Sequence, residues 1–239
     1  MTFQKNDPTG ATHDIPIQAA ATLVLIRDGK SGLEVLLQQR SPDAIFVGGA
    51  WVFPGGKVDE EDSDPRWHEL SPALSDQQAS QLIEVEQNGL RYWIAAIREA
   101  FEEAGVLLAD LPPSFNSQKL RHQLNDNVEN AETNWLGLCE EHQIRLHTHK
   151  LHYLSRWITP PGPPRRYDTR FFLAAMPEGQ QATHDDYEAI ATRWLSPNDA
   201  LKQRDEGKIE LIFPTLMTLK KLSEFKNCEA VIANMVDSK

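Results

Sequence analysis

The sequence predicts one α/β domain, because segments typical of strands and of helices alternate along the chain without a long linker. Two apolar segments, 19–27 and 33–40, flank a glycine-containing turn at 28–32, which is typical of a β-hairpin. Further strands are predicted at 151–158, 169–176 and 188–195, and helices at 76–87, 90–104, 112–145 in large part, from 196 onward and at 214–225. We therefore expect a single domain over residues 1–239, with 1–16 as a flexible lead-in.

The composition limits the classes of partner. A formal net charge of −11 over 239 residues argues against broad binding to DNA or to an anionic membrane, since phosphates repel such a surface. Cys139 and Cys228 lack the spacing of a metal site and are expected to be reduced thiols. The N-terminal 16 residues are polar and contain no apolar signal segment. These features predict a cytoplasmic protein that acts on a small molecule.

The most informative segment is the helix predicted at 90–104. At about 100° per residue, six apolar side chains cover one arc of roughly 120° that should pack on the sheet: Trp93, Ile94, Ile97, Ala100, Phe101 and Ala104. Glu99, Glu102 and Glu103 fall on another face, one turn apart, so their carboxylates converge. Gly105 is suited to end the helix.

Three carboxylates on one helical face repel each other unless a cation neutralises them. Hard divalent cations prefer oxygen ligands, and Mg²⁺ bridges carboxylates and substrate phosphates. Arg98 could hold one carboxylate in a fixed rotamer. A solvated acidic surface is the simpler interpretation of such a helix alone.

A pair of glycines upstream of this helix favours the metal site. Gly55 and Gly56 follow Phe53-Pro54 and allow backbone groups to approach a ligand closely. With segment 98–106 (REAFEEAGV), they resemble the signature of the Nudix hydrolases, G-x5-E-x7-R-E-U-x-E-E-x-G-U, where U is a bulky aliphatic residue. Ala100 is smaller than the pattern prefers.

Two departures from this signature concern Asp62. It stands where the pattern has Glu, and 35 residues separate it from Arg98, where the pattern has seven. We place an insertion at 63–92 and expect the shorter carboxylate to be able to pair with Arg98. This split signature resembles the Nudix branch that includes peroxisomal coenzyme A diphosphatases.

The resemblance implies a Nudix-type α/β/α sandwich with a mixed sheet and helical insertions at 63–92 and 110–145. It also implies a bound Mg²⁺ or Mn²⁺, with Glu102 and Glu103 as the main metal ligands and Glu99 as a further ligand or the general base. Arg98 would orient the carboxylates, and the carbonyl of Gly56 would complete the site.

Other residues are candidates outside the signature. Glu188 could supply a further ligand or the base, although an ordinary surface acid is equally consistent with its position. Guanidinium groups bind phosphate well, and several arginines lie at the second strand and around the proline-rich loop at 159–166: Arg40, Arg156, Arg165, Arg166 and Arg170. Solubilising charge is the alternative for this set.

The expected function is metal-dependent hydrolysis of a diphosphate linkage in a nucleoside diphosphate derivative. Coenzyme A or an acyl-CoA is the first expectation, on the resemblance to that branch alone. An ADP-sugar, a dinucleotide or a capped RNA remains an alternative substrate, and a non-catalytic nucleotide sensor is an alternative function. The insertions at 63–92 and 110–145 could also serve a homodimer interface.

Overall fold

A computed structural model describes residues 15–44, 47–111, 117–126, 134–184 and 189–237. The strands are β1 (Ile17–Gly29), β2 (Gly32–Arg40), β3 (Trp51–Val52), β4 (Gly55–Lys57), β5 (Ala109–Asp110), β6 (Arg145–Leu146), β7 (His152–Ile158), β8 (Arg166–Ala175) and β9 (Ala189–Leu195). The helices are α1 (Trp67–Leu70), α2 (Asp76–Leu82), α3 (Leu90–Ala104), α4 (Ser117–Asp126), α5 (Trp135–Glu141), α6 (Pro197–Asp205), α7 (Phe213–Leu222) and α8 (Cys228–Asp237).

Seven of these strands form one mixed sheet. Strands β1 and β8 pair in parallel over ten residues, and the other pairs of this sheet are antiparallel. β1 and β2 pair as the predicted hairpin near the turn and then diverge. β4 pairs with β1, and β3 pairs with β2, along the edges that this divergence opens. The fork therefore places Gly55 and Gly56 inside the sheet, opposite Thr22 and Ala21.

Two hydrophobic cores cover the two faces of the sheet. Because neighbouring side chains of a strand point to opposite faces, Leu23 and Leu25 pack against α3, whereas Val24 and Ile26 join the core that includes residues of α6, α7 and α8. Helices on both faces confirm the predicted α/β/α sandwich. No helix among the described ranges has the length and apolar character needed to cross a bilayer.

Helix α3 has the predicted bounds, and all six residues of the predicted apolar arc are buried. Gly105 ends it in the left-handed conformation, with φ 67°, and its amide donates a hydrogen bond to the carbonyl of Phe101. The preceding helix ends at Leu82, earlier than the predicted residue 87, and Glu84 and Asn88 follow with positive φ. The sequence did not predict the last helix, α8.

The two insertions pack against each other and against α3. Trp67 of α1 and Trp135 of α5 are both buried, with ring centroids 6.2 Å apart, and Trp135 lies 5.8 Å from Phe101 of α3. The carboxylate of Glu61 accepts a hydrogen bond of 2.7 Å from the amide of Leu136. The described parts of 63–92 and 110–145 thus share one aromatic core.

Candidate active site

Arg98, on α3, is the centre of a buried ion network. Its guanidinium group donates two hydrogen bonds to Asp62, of 3.0 and 3.1 Å, and one of 2.8 Å to the carbonyl of Lys57. One nitrogen, Nη1, donates to Glu99 at 2.9 Å and to Glu102 at 3.1 Å. Since 6% of Arg98 is exposed, little solvent screens these charges. Arg98 therefore fixes one oxygen of each of the two glutamates.

Asp62 forms the expected pair with Arg98 despite its shorter side chain and the insertion that follows it. It lies in a 3₁₀ turn, Glu61–Ser63, and its side chain is fully buried. Its second interaction is a hydrogen bond of 2.8 Å from the amide of Asp59. The turn brings the carboxylate to Arg98 before the chain enters the insertion, so the insertion leaves this contact intact.

The two glycines are required for the close approach of β4 to α3. A Cβ atom on Gly56 would lie 2.5 Å from Oε2 of Glu99, and the amide of Gly55 donates a hydrogen bond of 2.9 Å to Glu103. The backbone at Gly56 therefore faces the acidic helix α3, as the sequence indicated.

The donor set suits a divalent cation, but the carboxylates do not surround a single point. Within the ranges described, no three His, Cys, Asp or Glu side chains are arranged to hold one ion together. The hydrogen bonds explain this arrangement, because Glu103 turns to Gly55 whereas Glu99 and Glu102 turn to Arg98. A cation held by all three carboxylates would therefore require at least one of these side chains to turn from its present position.

Burial changes the protonation of two of these glutamates. It raises the pKa of Glu99 to about 8, against the lowering effect of Arg98, and the charge of Glu102 raises it further. Burial likewise raises the pKa of Glu102 to about 7, again against Arg98. One guanidinium group therefore does not offset the effect of burial on these two carboxyl groups. Carboxyl groups with pKa values raised in this way are typical of functional sites.

The raised pKa values predict that the metal-free protein loses stability as the pH rises. A carboxyl group that binds its proton more tightly in the folded state stabilises the fold at low pH, and this contribution disappears as the pH rises through the folded pKa. With EDTA present, we expect the free energy of unfolding in urea to fall between about pH 5 and pH 8. Glu99→Gln should flatten this dependence, and Glu229→Gln, which changes an exposed residue of α8, should not. An unchanged slope in Glu99→Gln would contradict the prediction.

The predicted arginines occupy different environments. Arg156 is half exposed and binds Asp168 through two hydrogen bonds of 2.7 and 2.8 Å. Arg170 is 2% exposed, contacts Asp168 as well, and lies 5.3 Å from the ring centre of Tyr92. It is buried because β8 pairs with β1 on one side and with β7 on the other, which places Arg170 inside the sheet beneath α3.

The remaining candidates are less informative about the site. Arg165 is exposed, Arg166 donates a hydrogen bond of 3.1 Å to the carbonyl of Thr159, and Arg40 is half-buried at the end of β2. Glu188 lies outside the described residues.

Sequence reasoning missed two residues that contact the acidic helix. Arg121 and Gln38 both donate hydrogen bonds to the carbonyl of Glu103. No local sequence pattern indicates either contact, because the contacts span 18 and 65 residues of the chain and depend on the tertiary fold.

Comparison with known proteins agrees with this architecture. Residues 75–222 match the NUDT19 Nudix domain. The chain is 30% identical to acyl-coenzyme A diphosphatase NUDT19 of Homo sapiens over 236 residues and 26% identical to that of Xenopus laevis over 236 residues. These alignments cover 81% and 83% of this chain, but 61% and 62% of the relatives, so the chain spans about three fifths of their length.

A solved structure resembles the fold over almost its whole length. The crystal structure of a NUDIX hydrolase from Alicyclobacillus acidocaldarius superposes with a TM-score of 0.71 at 25% sequence identity. The superposition covers 92% of this chain and 97% of the Alicyclobacillus acidocaldarius chain. With the family match over more than half of the sequence and the split signature around Arg98, this places the chain in the Nudix family, in its NUDT19 branch.

Proposed function

We propose that the chain is a divalent-metal-dependent diphosphatase that hydrolyses coenzyme A or an acyl-CoA. The observation that carries this proposal is the acidic face of α3, where Glu99, Glu102 and Glu103 lie against the glycine backbone of β4 around one buried arginine. The substrate class is suggested by the human and Xenopus laevis relatives, which are named acyl-coenzyme A diphosphatases.

The chain's own residues would hold Mg²⁺ or Mn²⁺ through Glu102 and Glu103, with Glu99 and the carbonyl of Gly56 completing the set. A bound cation of this type neutralises diphosphate charge and lowers the pKa of a bound water. Arg98 and Asp62 would keep the carboxylates in place, since each of these contacts is hydrogen-bonded and at least partly buried. Attack of water on phosphorus then breaks one P–O bond of the diphosphate and yields two phosphate monoesters.

The direct test is chromatographic product analysis of coenzyme A, acetyl-CoA, ADP-ribose, a dinucleoside polyphosphate and a capped oligonucleotide, each with Mg²⁺ or Mn²⁺. Release of 3′,5′-ADP from the coenzyme A compounds is the expected result, with loss of turnover in EDTA. Cleavage of another compound alone would contradict the proposed substrate but not the chemistry. Tight binding of one compound without turnover would instead favour a sensor.

Coenzyme A carries a third phosphate, on its ribose, and the sheet offers a place for it. Gly56, Ala21, Arg170 and Arg156 are paired in register across four adjacent strands. Paired residues point to the same face and neighbouring strands are about 4.8 Å apart, so the backbone of Arg170 lies about 10 Å from that of Gly56. We infer that Arg156, the exposed member of this row, binds the ribose phosphate. Arg170 and Asp168 would hold the side chain of Arg156 in place.

We expect Arg156→Gln to raise KM for coenzyme A about tenfold, because it removes a charge-assisted contact to one phosphate. KM for dephospho-coenzyme A, which lacks the ribose phosphate, should change little. Steady-state kinetics on both compounds measures the difference, and Arg145→Gln, an exposed arginine of β6, is the matched control. An equal rise in KM for both compounds would exclude a contact specific to the ribose phosphate.

A further inference from the structure

The C-terminal end of α3 directly follows the acidic face, and its carbonyl groups need partners from outside the helix. Two carbonyls are satisfied locally, since the amides of Gly105 and Val106 donate to Phe101 and Ala100. The carbonyl of Ala104 accepts a hydrogen bond of 2.9 Å from the amide of Thr183. The carbonyls of Glu102 and Glu103, two of the proposed metal ligands, remain.

Arg121 of α4 satisfies both remaining carbonyls with one guanidinium group. Its Nε donates to the carbonyl of Glu102 at 2.8 Å, and its Nη2 donates to that of Glu103 at 2.5 Å. Gln38 of β2 adds a hydrogen bond of 3.0 Å to Glu103. The two donors of Arg121 match adjacent carbonyls because the guanidinium fork is planar and rigid, which a lysine ammonium group cannot reproduce.

Two other features indicate that this contact is specific. A Cβ atom on Gly105 would lie 3.1 Å from Nη1 of Arg121 and 3.3 Å from the hydroxyl of Thr183, so the glycine leaves room for the arginine. Nη1 also donates to the Thr183 hydroxyl at 2.9 Å and to the carbonyl of His184 at 3.4 Å. Arg121 therefore joins α3 to the segment that leads towards Glu188.

We propose that Arg121 is a positioning residue for the metal site: it fixes the last turn of α3, and hence the direction in which the side chains of Glu102 and Glu103 leave the backbone. Its positive charge also opposes the negative end of the helix dipole. The inference rests on the proposed function, because it assigns a role to the insertion 110–145 in the same site. It gives that insertion a part in catalysis besides any part in a homodimer interface.

The test compares Mn²⁺ binding with turnover in the full chain. Mn²⁺ affinity is measured from the electron paramagnetic resonance signal of the free ion, and kcat and KM are measured with coenzyme A at saturating Mn²⁺. We expect Arg121→Gln to weaken Mn²⁺ binding and to lower kcat by about 10-fold or more, the range seen for residues that orient metal ligands. KM should change little, and Arg121→Lys should recover part of both losses.

The outcomes separate this inference from the proposed function. Arg27→Gln, which removes a remote arginine that pairs with Glu34, is the control and should keep wild-type Mn²⁺ affinity. A lower melting temperature of Arg121→Gln with wild-type Mn²⁺ affinity and kcat would overturn the positioning role. If Arg121→Gln does not fold, wild-type Mn²⁺ affinity in Arg121→Lys overturns it as well. A wild-type protein that binds Mn²⁺ but cleaves no substrate contradicts only the proposed function. The Mn²⁺ affinities of the wild type and Arg121→Gln can still be compared, and that comparison tests the role of Arg121.

Discussion

Glu102→Gln is expected to lower kcat for the diphosphate substrate by about 10³-fold, because a metal ion supplies several kcal/mol of charge stabilisation in the transition state. Glutamine keeps the size of the side chain but removes the charge that would bind the ion. The oxygen of the glutamine amide can still accept a hydrogen bond from Arg98. In the wild-type protein, Nη1 of Arg98 lies 3.1 Å from Oε2 of Glu102. The substitution should therefore leave the fold intact, and steady-state kinetics at saturating Mg²⁺ measures the effect.

Glu141→Gln, at the exposed end of α5, is the matched control for this prediction and should retain wild-type turnover. A second check is the metal dependence of what activity remains. Weaker ligation by Glu102→Gln should move half-maximal activation to a higher Mg²⁺ concentration. Turnover of Glu102→Gln within threefold of wild type would rule out this glutamate as a main ligand.

Arg98→Met should produce the largest loss of stability, about 3–5 kcal/mol, because it leaves a buried carboxylate without its partner. Asp62 has a fully buried side chain, and Glu99 is 13% exposed, so solvent cannot replace the lost guanidinium group. Methionine fills a similar volume without a charge. The free energy of unfolding from urea titration at pH 7 with EDTA present gives the comparison.

A double variant distinguishes the lost ion pair from lost packing. Removing both partners of a buried pair costs less than removing one, so Arg98→Met with Asp62→Asn should be more stable than Arg98→Met alone. Arg204→Met, which changes an exposed arginine of α6, is the control and should have a free energy of unfolding close to that of the wild type. Equal stability of the single and double variants would mean that the Asp62 charge does not cause the loss.

The sequence predicted the acidic helix well because its signals are local. The period of the buried residues, the one-turn spacing of Glu99 and Glu102, and a glycine at the helix end act over a few residues. The ion pair between Asp62 and Arg98 was expected as well, since it belongs to the pattern that the sequence resembles.

Contacts between distant segments were not predictable in the same way. Arg170 was placed in a predicted strand and grouped with the arginines around the proline-rich loop, but the sequence did not indicate that this strand pairs with β1 on one side and β7 on the other, which buries Arg170 beneath Tyr92. Arg121 lies on a polar helix whose sequence does not indicate which neighbour it meets. Pairing register and helix docking decide such positions, and neither is encoded within a short window.

The aromatic core shared by the two insertions has a consequence for the history of the family. Trp67 and Trp135 cover each other, so a chain that lost either insertion would expose the indole ring of the other. The two segments should therefore be gained and lost together: a relative that carries a short loop between its counterparts of Asp62 and Arg98 should also lack the tryptophan of α5. Related sequences should therefore contain both the insertion after Asp62 and the tryptophan of α5, or neither of them.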